Sequence, residues 1–334
     1  MKNKQMSRRD FMREGAVVTA SVAAGLGSAR GQAVPGAVKP SKILNYNQNM
    51  EYRRQGKTDL MVSTICLGGH SRSDEKERYE IISRSIDAGI NYIDACTGSE
   101  VRRDAKALKG RRDKMYLGFS NISMEPRDED FRTAKSMMKG LDELLQAANL
   151  GYADLWRITC LEPGGRHTFN TALEIAEVLE KAKKQGKIRF GGFSSHDRRW
   201  IKFMVEYFPQ IDVVCFPFTT MTKTAPKDSL FASLKKCDVG AFGIKPFAAS
   251  SLFKDNPEEN NRRARLAIRY ILHSNTVIPI PGLNSIDEVD NAIKAVMERR
   301  ELDLKEKAEL AEAGREMWAK LPQNYQWLKN WEYV

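Results

Sequence analysis

Residues 153–194 read ADLWRITCLEPGGRHTFNTALEIAEVLEKAKKQGKIRFGGFS. ADLWRITC at 153–160 is a short apolar run bounded by turn residues, and RFGGFS at 189–194 is a second; both read as buried strands. Between them, residues 171–186 place Leu173, Ile175, Ala176, Val178, Leu179 and Ala182 at helical spacing. Strand, helix, strand in so short a span requires a right-handed crossover between parallel neighbours.

The same alternation extends in both directions. Strands are expected at 63–69, 91–95, 114–119, 212–218, 241–247 and 276–281, which with the two above makes eight. Helices are expected at 74–89, where Tyr79, Ile82, Ser83 and Ile86 share a side, and at 130–149, 197–206, 228–236, 261–273 and 285–297. Eight strand–helix rounds close into an α/β (β/α)8 TIM barrel. A doubly wound sheet would want a G-x-G-x-x-G turn after its first strand, and Gly68-Gly69-His70-Ser71 is not one. A further helix at 303–320 and an aromatic tail (Tyr325, Trp327, Trp331, Tyr333) end the chain. The tail either folds over the barrel mouth or packs outside it.

The chain has 334 residues, 42% of them hydrophobic and 29% charged, enough apolar material for a sizeable core. No apolar run reaches the roughly 20 residues of a membrane span. The net charge of +11 is partly local, because residues 1–33 carry a net four of those charges. The rest is a mildly basic surface without a basic stripe interleaved with aromatics, which argues against nucleic acid as a partner. Cys66, Cys96, Cys160, Cys215 and Cys237 contain no C-x-x-C, so a cysteine-rich metal site is not expected.

Ser7-Arg8-Arg9-Asp10-Phe11-Met12 precedes a short apolar stretch, Gly15 to Leu26, and a small-residue region with cleavage points at Ala29 or Ala33. A charged start, an apolar centre and a small-residue end make a secretory signal, and the paired arginines resemble the twin-arginine type. The expected organisation is a signal peptide at 1–33, a linker at 34–50 and the barrel at 51–334. The resemblance implies twin-arginine export machinery as a partner and a periplasmic location.

In such a barrel the chemistry sits at the C-terminal ends of the strands. EYRRQGKTDLMVSTICLGG at 51–69, GINYIDA at 89–95, ALKGRRDK at 107–114, GKIRFGGFSS at 186–195 and IPIPGLNSIDEVDNAI at 278–293 are collinear with segments of the aldo/keto reductase family. The chain resembles that family over about residues 51–297. The resemblance implies a (β/α)8 barrel, NADP as cofactor, with NAD or a lost cofactor as alternatives, and hydride transfer to a small carbonyl compound or a sugar. It also implies a tetrad of aspartate, tyrosine, lysine and histidine, in which the tyrosine is a general acid tuned by the lysine. Asp94 matches the aspartate. Thr97, Ser120 and Thr159 stand where the resemblance puts tyrosine, lysine and histidine. A threonine hydroxyl is too weak an acid for that role. Asp94 then needs another donor, and His70 and His196 are the expected substitute acids.

For the cofactor, the resemblance implies Ser194 and Ser195 at the carboxamide and Phe218 stacked on the nicotinamide. It further implies Lys245, Ser250 and Leu252 in a pyrophosphate loop, and Gly282, Ser285, Glu288 and Asn291 at the adenosine end. Glu288 stands where a basic residue would hold a 2′-phosphate. No metal is expected: His70, His167 and His196, with Asp94, Glu162 and Asp197, lack metal-ligand spacing. Cys96 beside Asp94 is a candidate nucleophile. Arg157, Arg166 and Arg198 read as solvated surface, with anion binding as the alternative. A second functional class, a degenerate barrel that binds a ligand or partner without redox work, stays open.

Overall fold

The structure is a computed structural model that describes residues 39–69, 73–160, 168–222, 229–298 and 301–329. The expected signal peptide lies outside the described residues. Residues 40–50, expected as linker, belong to the compact unit Pro40–Val334. Their polar groups explain why: Asn45 Nδ2 donates to Ile86 O at 2.8 Å, and Asn91 Nδ2 donates to Leu44 O at 2.9 Å.

A hairpin comes first, β1 (Tyr52–Arg54) antiparallel to β2 (Met61–Ser63). Seven parallel strands follow in chain order: β3 (Tyr92–Ala95), β4 (Tyr116–Phe119), β5 (Ala153–Thr159), β6 (Ile188–Ser194), β7 (Val213–Pro217), β8 (Gly240–Ile244) and β9 (Ile278–Pro279). Residues 66–68 close the ring. Leu67 bridges in parallel to Ile93, and Gly68 to Gly282, while Cys66 N donates to Pro279 O at 3.2 Å. The outer helices are α1 (Glu75–Asp87), α2 (Gly98–Ala107), α3 (Ala134–Ala147), α4 (Phe169–Lys184), α5 (Arg198–Tyr207), α6 (Leu230–Lys236), α7 (Pro257–Ser274) and α8 (Ile286–Met297). The extra helix α9 spans Leu304–Ala319, and a 3-10 turn, Gln323–Lys329, follows it. The fold is the (β/α)8 barrel.

Two apolar layers hold it. Inside the ring, Cys66, Tyr92, Tyr116, Leu155, Val213, Cys215, Phe242, Ile278 and Ile280 pack together, and Leu60 and Val62 of the hairpin plug the bottom. A larger layer fills the space between strands and helices. Each fully buried large apolar side chain contributes about 1.5–3 kcal/mol. Tyr92 crosses the interior and stacks on Phe242 with centroids 4.6 Å apart. Gly118 permits this, since a Cβ there would lie 1.9 Å from the Tyr92 hydroxyl oxygen.

Three readings of the helices need correction. Residues 98–107 form α2, which the sequence leaves unassigned because its apolar stripe is thin: Val101, Ala105 and Ala107 are its buried apolar residues. Tyr79 faces out, beneath Arg111 at 4.1 Å, and α1 buries Arg78, Ile81, Ile82 and Ser85 instead. Leu173 is also exposed.

Candidate active site

Along β5, Leu155 points into the barrel, so Arg157 and Thr159 share its inward face. Arg157 is therefore buried, 2% exposed, which corrects its reading as solvated surface. Its guanidinium meets the Asp94 carboxylate in a two-pronged pair, Nε–Oδ1 3.0 Å and Nη2–Oδ2 2.7 Å. The Tyr92 hydroxyl donates to Asp94 Oδ1 at 3.3 Å. A buried carboxylate without a cation would be costly, and Arg157 removes that cost. An arginine keeps its proton at working pH, so this pair orients and neutralises but does not shuttle a proton.

Thr97, Ser120 and Thr159, which the family resemblance aligns with the other tetrad positions, have local duties. Thr97 is the N-cap of α2: its Oγ1 accepts from Glu100 N at 3.3 Å, and Glu100 Oε2 accepts from Thr97 N at 3.1 Å and Cys96 N at 3.0 Å. Those bonds form a capping box. Ser120 is fully buried, and its hydroxyl donates to Cys96 O at 3.4 Å. Thr159 N donates to Glu125 Oε2 at 2.7 Å.

Glu125 is a site-adjacent residue that the sequence reading missed. Its buried carboxylate also accepts from Asn121 N at 2.8 Å and from Trp156 Nε1 at 2.9 Å. It thus ties the loop after β4 to the end of β5. Burial pushes its pKa above 4.5 despite those three donors. Burial likewise pushes the Cys96 thiol up to about 12, although Arg157 lies 3.6 Å from its sulfur. A raised thiol pKa argues against Cys96 as a nucleophile. All five cysteines are free.

The expected cofactor residues separate into two groups. Ser194 ends β6 and Ser195 follows it, with Ser195 Oγ accepting from Asp197 N at 3.0 Å. Lys245 begins the loop after β8, where Lys245, Ala248, Ala249 and Ser250 all take left-handed φ of 57°, 46°, 54° and 66°. Ala249 and Ser250 are exposed, and the loop's own hydrogen bonds use the N–H groups of Ala248, Ser251, Leu252 and Phe253. Gly282 is exposed beside the bridge to Gly68.

The second group is committed elsewhere. Phe218 has no exposed face and packs edge-on against Phe231. Leu252 is buried in the outer core. Asn291 ties α8 to α7, accepting from Arg265 Nη1 at 2.6 Å and donating to Asn261 O at 3.0 Å. Ser285 caps α8 by accepting from Glu288 N at 3.2 Å, and Glu288 Oε2 accepts from Asn284 N at 2.6 Å. A carboxylate thus already occupies that helix N-terminus.

His196 follows β6, and its ring stacks on Trp327 at 4.2 Å with planes 17° apart. The Lys245 ammonium donates to the Tyr325 hydroxyl at 3.4 Å and lies 5.0 Å from that ring. The aromatic tail, as far as it is described, therefore lies against the ends of β6 and β8. Arg198 is also buried, beside Phe231 at 5.4 Å, contrary to its surface reading. His70, Glu162, Arg166, His167, Trp331 and Tyr333 lie outside the described residues. Among the described residues, no His/Cys/Asp/Glu group has the makings of a metal site, and no helix is long and apolar enough to cross a membrane.

The comparisons agree with this architecture. An aldo-keto reductase from Bacillus halodurans, AKR11C1 in its holo form, is 22% identical, with a TM-score of 0.65 over 79% of this chain and 96% of that one. An aldo/keto reductase from Klebsiella pneumoniae, solved with NADP and acetate, is 19% identical, with a TM-score of 0.62 over 78% and 94%. MGS-M4, an aldo-keto reductase from a Medee basin deep-sea metagenome library, is 14% identical, with a TM-score of 0.60 over 79% and 94%. At these identities the structures establish the fold. The profile of the aldo/keto reductase family matches residues 64–264, more than half the sequence, and the chain belongs to that family.

Proposed function

We propose that the protein is an exported oxidoreductase that binds a nicotinamide dinucleotide at the mouth of its barrel and acts on a small carbonyl compound or sugar. The observation that carries this reading is the loop after β8. Left-handed backbone costs non-glycine residues about 1–2 kcal/mol each, and such strain concentrates at binding sites. Here it falls on two exposed residues, Ala249 and Ser250, whose N–H groups make none of the loop's own hydrogen bonds, in a loop that Lys245 opens, a donor set suited to a pyrophosphate. Ser194 and Ser195 would face the carboxamide. The bound group would supply the hydride.

The chain's own residues support a rearranged acid–base set. Thr97 is held as a helix cap, and Arg157 rather than a lysine answers Asp94. A lysine-tuned tyrosine then plays no part in proton transfer. Arg157 holds the carboxylate in place, and Glu125 fixes the strand end that carries Thr159. Glu288 at the N-terminus of α8 would repel a 2′-phosphate, which favours NAD over NADP. The Arg8-Arg9 pair and the apolar stretch from Gly15 to Leu26 support periplasmic export of the folded barrel.

The test is to denature protein purified from its native host and identify any released nucleotide. Released NAD or NADP supports the reading. The same Thr97 and Arg157 geometry favours a second reading, a barrel that binds without redox work. Folded protein that neither releases nor takes up a dinucleotide would select it.

A further inference from the structure

The tail is anchored at both ends of its path. At its start, α9 is fixed to α7 by Arg262–Glu309 (both bonds 2.6 Å), Arg263–Glu316 (2.6 Å) and Arg269–Glu306 (both bonds 2.9 Å). At its far end, Leu328 is buried, 1% exposed. Between these points Tyr325 and Trp327 are half-buried. Tyr325 N donates to Pro322 O, Gln326 Nε2 to Leu321 O and Trp327 Nε1 to Asn324 O, so these bonds close within residues 321–327. The segment meets the rim through side chains: Trp327 on His196, and Tyr325 on Lys245. The two rings stack on each other with centroids 6.2 Å apart. A segment bonded within itself and held to its neighbour by side chains can lift as a unit without unfolding the barrel.

We infer that Gln323–Trp327, between the anchors at α9 and at Leu328, is a strap that closes the rim between the ends of β6 and β8, and that a nicotinamide dinucleotide enters by lifting it. This rests on the proposed function, because His196 adjoins Ser194–Ser195 and Lys245 opens the loop assigned to the pyrophosphate. A ligand reaching from one to the other has to pass where Trp327 and Tyr325 now sit. Binding that requires such a movement associates slowly and, once the strap recloses, dissociates slowly.

The experiment is rapid mixing of the full chain with NADH and, separately, NADPH, followed by nucleotide emission. The variants are the double change Tyr325→Ala/Trp327→Ala and the ring-preserving Trp327→Phe. Loss of both rings is expected to raise the association rate constant by about tenfold, and Trp327→Phe to stay within about twofold of the parent. Equal association rate constants in the parent and the double variant would overturn the strap and leave the nucleotide site standing. Binding by none of the folded proteins at millimolar nucleotide would overturn both.

Discussion

Asp94 on β3 and Arg157 on β5 meet across the intervening strand β4, and join two nitrogens to two oxygens at 3.0 and 2.7 Å. The carboxylate that the family resemblance pairs with a lysine is here held by an arginine from β5. The pair is buried on both sides, with side chains 2% and 3% exposed. Its worth is therefore set by what breaking it leaves behind.

Arg157→Leu is expected to destabilise the protein by about 3–5 kcal/mol, because Asp94 would be left as an uncompensated buried charge. Asp94→Asn/Arg157→Leu should recover more than half of that loss. Urea unfolding of the parent, Asp94→Asn, Arg157→Leu and the double variant checks this. Additive losses in the double variant would show that the two side chains do not act as a pair.

Thr97→Tyr alone should not create NADPH-dependent aldehyde reduction. It should also cost about 1 kcal/mol, since the cap on α2 is lost. Thr97→Ser, which retains the cap, should melt close to the parent. Strong reductase activity in Thr97→Tyr would mean that the mouth already holds what a tyrosine acid needs.

Glu125 makes a pH-dependent contribution whose sign follows from burial. Its folded pKa is raised above 4.5, so the folded protein keeps this proton to higher pH than the unfolded chain does. Stability from this group is fully present at low pH, falls as pH rises from about 4.5 through the raised folded value, and is level above it. In Glu125→Gln that fall should be missing, so the stability gap between parent and variant narrows as pH rises. Denaturant unfolding from pH 4.5 to 8 measures the gap. Parallel curves would place the titration elsewhere.

Export is tested by Arg8→Lys/Arg9→Lys in a native host. The expected outcome is that the protein stays inside the cell. Unchanged periplasmic yield would remove the twin-arginine reading.

The strands were legible because each is a short apolar run between turn residues. Alternation along ADLWRIT places Arg157 on the same inward face as Leu155, which the apolar content of the run alone does not show. Helix α2 was not legible because its charged residues outnumber its buried apolar ones, and it is stabilised by the Thr97–Glu100 capping box and by the Arg78–Asp104 pair (2.7 Å) reaching over from α1. Glu125 and the Trp327–His196 stack depend on contacts between residues 34 and 131 positions apart, which local pattern does not encode. Phe218 shows the converse: an aromatic at the expected place in the chain is turned into the core.

The most direct measurement is an equilibrium titration of the folded full chain with NADH and NADPH, repeated on Glu288→Arg. The expected result is saturable binding with NADH the tighter ligand, and a gain of about tenfold for NADPH in Glu288→Arg as repulsion at the α8 N-terminus becomes attraction. Absence of binding by either nucleotide at millimolar concentration would contradict the assignment of a nicotinamide site to this barrel mouth.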